Sequence, residues 1–149
     1  TRTQTRELAF ELLYIYKLKN RQEEKKEQIE LFLEQQEIEE EKVKQYILET
    51  TKGIEENEEK ILKNISDNLK EKWEITRISK INIALLKLAI YEILYTKLPY
   101  KVVVNEVVEL AKKYGDDNSA PFINGILANI IKKSGQFTNW GLSTERTAV

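Results

Sequence analysis

The run Lys80 to Tyr95 is apolar nearly all the way round a helix, with Ile81, Ile83, Ala84, Leu85, Leu88, Ala89, Tyr91, Ile93 and Leu94 and a lone internal cation, Lys87. A helix without a polar face has to be covered on most sides, so this one is expected at the centre of a helical protein. It is too short to cross a bilayer. Two prolines and five glycines in 149 residues leave little turn material for a sandwich or barrel, and the length suits one domain. The fold class expected is therefore all-α.

Other helices are legible around this centre. Leu8, Leu12 and Ile15 share a face over residues 5–18, with Thr5 placed to cap the start. A thinner apolar set, Ile29, Phe32 and Leu33, follows a polar break at Asn20. One long helix is expected over residues 40–65, where Val43, Ile47, Ile54, Ile61 and Ile65 recur at steps of four and seven, with Gly53 inside it as a kink or a close-packing point. Short pieces are expected over 68–73 and 74–78. Pro99 opens a helix carrying Tyr100, Val104, Val107, Val108, Ala111 and Tyr114, and Gly115 stops it. After the polar loop 115–118, Ser119 is placed to cap a last helix whose inner face holds Phe122, Ile123, Ile126, Leu127, Ile130 and Ile131. Residues 134–149 lose periodicity and read as a tail. Domain organisation is read as a single unit over 1–133, one bundle to about 73 and a second over 74–133.

The chain has no His, no Cys and no Met. That excludes zinc sites of the usual donors and nucleophilic systems built on histidine. The glycines are too scattered for a phosphate-cradling loop. Acidic runs at Glu39–Glu41 and Glu55–Glu59 read as solvated helix faces, and neither an enzyme nor a cofactor is implied. A secretory h-region is absent from the opening residues, so a cytoplasmic location without membrane contact is expected. Net charge is −1, but it is unevenly spread: +2 over residues 1–19, −6 over 20–65 and +3 over 66–133. A polyanion is attracted to the two ends and repelled by the middle.

The segment Pro99-Tyr100-Lys101-Val102-Val103-Val104-Asn105-Glu106-Val107-Val108-Glu109-Leu110-Ala111-Lys112-Lys113-Tyr114-Gly115 closely resembles the signature of the NusB family. Phe122-Ile123-Asn124-Gly125-Ile126-Leu127 follows at the family's distance. Arg6-Glu7-Leu8-Ala9 with Leu13-Tyr14 resembles the opening helix, and Leu88-Ala89-Ile90-Tyr91-Glu92-Ile93 the central one. The likeness spans residues 2–133 in one order. It implies a NusB-like fold of two packed helical bundles with six to seven helices. It also implies transcription antitermination, with boxA-type single-stranded RNA, ribosomal protein NusE and the transcription elongation complex as partners. The alternative is a helical protein-interaction or self-associating module, such as a homodimer, without RNA contact.

Carried over by position, the resemblance assigns RNA contact to Arg2, Arg6, Tyr14, Asn82, Lys87 and Phe122, and partner contact to Asn118. Cations at phosphates and aromatic faces against splayed bases are the usual means of holding single strands. Each has a plainer reading: Tyr14 and Phe122 as packing, Lys87 as a rim residue, Arg6 as the partner of Glu7 or Glu11. Asn82 stands where the family often has an acid, Asn118 where it often has Asp, and the opening has fewer Arg residues. Weaker RNA binding alone and heavier reliance on NusE are then expected. Asn105, Asn124 and Gly125 are assigned to structure, Gly125 as a point of close helix approach. The RNA reading further expects the opening segment to lie beside Lys87 and Phe122 on one surface.

Overall fold

The computed structural model describes residues 2–14, 22–69 and 74–134. Seven α-helices and one 3-10 turn are present among them: α1 (Arg2–Tyr14), α2 (Gln22–Gln35), α3 (Glu41–Glu56), α4 (Glu58–Asp67), the turn Ile75–Arg77, α5 (Lys80–Tyr95), α6 (Tyr100–Tyr114) and α7 (Ser119–Ser134). Ile15, the first helix's expected end at 18, the break at Asn20, residues 70–73 and the tail 135–149 lie outside the described residues. The chain divides into two compact units, Thr1–Glu56 and Asn57–Val149.

In the first unit, α1 packs against α3. Leu12, Ile29, Phe32, Leu33 and Ile47 form its core, flanked by Leu8, Ile38, Val43 and Tyr46. Each such side chain, fully buried, contributes roughly 1.5–3 kcal/mol. The helix α1 begins at Arg2, so Thr5 is a buried residue inside it rather than its cap. The expected single helix over 40–65 is two helices. Gly53 is buried within α3 and the helix runs on past it; the break comes at Asn57, whose φ of −114° and ψ of 16° leave the helical region. The acidic helix α4 accordingly falls in the second unit.

The end of α2 is closed by a Schellman arrangement. The Ile38 N–H donates to the Leu33 carbonyl at 2.9 Å, and the Glu37 N–H donates to that of Glu34 at 3.0 Å. Ile38 then packs beside Leu33 in the core, the apolar contact that accompanies this motif. The motif needs a left-handed residue, and Glu37 supplies it with φ 55°.

In the second unit, α5 packs against α4, α6 and α7, and α6 packs against α7. Leu85, Leu86, Leu88, Ala89, Ile90 and Ile93 of α5 have no exposed area. The central position expected for this helix is the one it takes. Its start is capped by Ser79, whose Oγ accepts the Asn82 N–H at 3.1 Å. Pro99 caps α6, its carbonyl accepting from the Val102 and Val103 N–H groups.

A left-handed conformation costs a side-chain-bearing residue about 1–2 kcal/mol, part of which glycine returns through the unfolded chain's entropy. Glu37→Gly is expected to raise stability by about 0.5–1 kcal/mol. Urea unfolding should show a higher midpoint at unchanged slope.

Candidate nucleic-acid interface

Arg2, Arg6, Phe10 and Tyr14 follow one another at steps of four and form a single stripe along α1. At one end, the exposed Arg2 places its guanidinium 5.6 Å from the centroid of the Tyr46 ring. At the other, Tyr14 is half-buried and stacks on Phe10, centroids 5.8 Å apart and planes within 5°. The middle is enclosed: Arg6 and Phe10 have no exposed area. A guanidinium without solvent access cannot meet a phosphate arriving from solvent unless the surrounding side chains move, and burying one is costly unless it is paired. Arg6, expected at phosphates, is therefore an interior residue, and Arg2 and Tyr14 are the two members of the stripe within reach of a ligand.

In the second unit, the α6–α7 turn is locked by a reciprocal cap. Asp116 Oδ1 accepts the Asn118 N–H at 2.8 Å, and Ser119 Oγ accepts the Asp116 N–H at 3.1 Å. The cap of α7 is thus supplied by Asp116, with Ser119 as its buried reciprocal partner rather than the capping residue expected. The lock presents Asn118 exposed and sets Phe122, half-buried, in the first turn of α7. The Asn118 carbonyl accepts the Phe122 N–H at 3.1 Å, so the two residues are fixed relative to each other.

Gly115 makes the lock possible through proximity. It ends α6 as expected, its N–H donating to the Ala111 carbonyl at 2.8 Å, with an extended backbone of φ −93° and ψ −167°. A Cβ at this position would lie 2.6 Å from Ser119 Cβ and 2.8 Å from the Ala111 carbonyl oxygen. At Gly125 the position is reversed: a Cβ would meet nothing within 4 Å, and the residue is exposed. The close helix approach expected there does not occur.

Asn82 and Lys87 share α5 but not a face, since five residues turn a helix by about 140°. Asn82 Oδ1 is enclosed and has no hydrogen-bond partner among the described residues. Lys87 keeps 23% of its side chain exposed and pairs with Glu58 Oε2 of α4 at 3.1 Å. The lone internal cation of the apolar helix is therefore neutralised by the acidic run of α4. Glu55 is likewise engaged, by Lys25.

Sequence reasoning missed a groove of about 400 Å³ between α6 and α7, lined by Tyr100, Val104, Asn105, Asn124 and Lys132 among others. Asn105 and Asn124, read as buried structural residues, are exposed. Their signal was available: both fall on the polar side of their helices.

Seven helices among the described residues, an aromatic residue and an exposed amide locked at the start of one, and an exposed arginine and a half-buried tyrosine on another, have the build of an RNA-binding helical factor. Residues 3–132 match the NusB family, and the chain belongs to it. It is 43% identical over 133 residues to the transcription antitermination protein NusB of Clostridium novyi (strain NT), covering 88% of this chain and 98% of that protein. Its identity to the corresponding protein of Acetivibrio thermocellus is 41% over 132 residues, 88% of each. Among solved structures, T. maritima NusB aligns with TM-score 0.75 at 34% identity, covering 89% of this chain and 92% of that one. A complex of antitermination factors NusB and NusE with dsRNA aligns with TM-score 0.75 at 26% identity, covering 89% and 96%. No described helix is long and apolar enough to cross a membrane.

The two glycines separate by experiment. Gly115→Ala is expected to destabilise the protein by about 1–3 kcal/mol, because Ser119 or the Ala111 turn has to move. Gly125→Ala should stabilise it by up to about 1 kcal/mol through helix propensity. Thermal melts of the two variants beside the parent provide the comparison.

Proposed function

We propose that this chain is a transcription antitermination factor that binds boxA-type single-stranded RNA together with ribosomal protein NusE, as a component of the transcription elongation complex. The observation that supports the reading is the likeness to a chain of the complex of antitermination factors NusB and NusE with dsRNA, over 89% of this chain and 96% of that one. NusB relatives matched over most of their length support it.

The RNA contacts proposed are Arg2 and Tyr14 in the first unit, and Lys87 and Phe122 in the second. Asn118 is proposed to face the protein partner. Arg6 then supports the α1 stripe from within, and Asn82 shapes the start of α5. Of the cations that the resemblance assigns to RNA, Arg6 is enclosed and Lys87 is paired to Glu58, which leaves Arg2 ready for phosphate. Affinity for RNA alone is accordingly low, and NusE supplies much of the remainder.

Titration of a labelled boxA-type RNA is expected to show weak binding by the chain and clearly tighter binding with NusE present. Lys87→Gln should make the logarithmic salt slope shallower by about 0.7, one single-strand phosphate contact. Absence of binding in both arms favours the protein-interaction module instead.

Phe122→Ala tests the aromatic directly. Loss of a stacked base lowers RNA affinity by about 1–3 kcal/mol. Because the ring is only half-buried, the stability loss should stay below the roughly 3–5 kcal/mol of a fully buried Phe. Calorimetry of the variant and its RNA titration give the two numbers; a large melting loss with unchanged RNA affinity assigns Phe122 to packing.

A further inference from the structure

The outward face of α5 does not end at Lys87. Residues 80, 87 and 91 fall within about 40° of one another around the helix axis, and 95 continues the same side one turn on. The positions are filled by Lys80, Lys87, Tyr91 and Tyr95. Tyr91 and Tyr95 stack, ring centroids 6.0 Å apart and planes within 17°. Tyr95 is 38% exposed, one of the few large apolar side chains left open in a helix whose other faces are covered. Lys80 and Lys97, both exposed, bracket the stripe. The one acid in the α5 sequence, Glu92, has no exposed area and lies about 140° round the helix from Lys87.

We infer that this face is a second base-stacking platform, on which an RNA base stacks against the outer ring of Tyr95 while Lys87 and Lys97 meet nearby phosphates and Lys80, about 22 Å along the helix from Tyr95, meets one several nucleotides further on. The inference rests on the RNA-binding reading above and extends it to residues that reading does not include. Three features point to a nucleic acid as the occupant. The charged side chains that the stripe itself carries are all cations, Glu58 of α4 being the acid that meets Lys87. The two rings are already stacked, so a base extends an ordered column rather than organising one. The stripe also runs directly on from Lys87, one turn before Tyr91. Stacking of this kind is tolerant of base identity, since every base offers a π face. Within the free protein Lys87 is held by Glu58, a contact exposed enough for a phosphate to exchange with it at small cost.

The test uses the full chain, a boxA-type RNA oligonucleotide and purified NusE. Tyr95→Ala is expected to weaken RNA binding by about tenfold or more, the scale of one lost stack, with the melting temperature close to that of the parent. Tyr95→Phe, which keeps the π face, should restore the affinity. An RNA series with single abasic positions should show one position whose penalty disappears in Tyr95→Ala. If Tyr95→Ala binds RNA as the parent does while Phe122→Ala does not, the platform is wrong and the RNA-binding reading stands. Failure of the parent itself to bind RNA, with or without NusE, sinks the underlying reading. A Tyr95→Ala defect in NusE binding measured without RNA assigns the face to a protein contact and overturns the inference.

Discussion

The burial of α5 is the constraint on which the second unit depends. A helix carrying Leu85, Leu86, Leu88, Ala89, Ile90 and Ile93 without exposure has to be enclosed, and α4, α6 and α7 enclose it. Covering it from three sides leaves one face outward, and that face carries its cation and its stacked tyrosines. The same packing that stabilises the unit therefore selects which side chains a ligand can reach. It also brings the acidic start of α4 to Lys87, so that a residue read from sequence as an RNA contact or a rim residue is half of an ion pair.

A second dependence is local and small in scale. The start of α7 is set by Asp116 and Ser119 capping one another, and Ser119 is buried against Gly115 at a separation that no side chain at 115 would permit. Asn118 and Phe122, which lie a few residues apart on this turn, take their directions from that lock. Rigid presentation keeps the entropy cost of engaging an aromatic low.

Helix identities were readable because 3.6-residue periodicity is written directly into residue order. The central place of α5 and most of the inner face of α7 followed from it, whereas on α6 the buried face includes Val103 and Leu110 and leaves Val104, Val108 and Tyr114 half-buried. The long helix expected over 40–65 was misread because its apolar spacing carries through the break: Ile54 and Ile61 remain in phase while Asn57 leaves helical geometry between them. Gly115 ends α6 as expected, but the close approach expected at Gly125 is found at Gly115 instead. A glycine's lack of a side chain is visible in sequence, but whether a neighbour occupies the vacated space is a property of chains distant in order. Of the candidate site residues, Arg2, Tyr14, Lys87, Asn118 and Phe122 reach the surface at least in part, whereas Arg6 is enclosed.

Residue order alone determined that the chain is helical, which helix lies innermost, where most helices start, and to which family it belongs, because periodicity and motif spacing are one-dimensional quantities. Tertiary structure alone decided that Arg6 is interior, that Glu58 holds Lys87, that Asn105 and Asn124 line an open groove, and that Tyr95 stays uncovered. Exposure and pairing are set by which surfaces meet across the fold, and helical periodicity limits those meetings without specifying them.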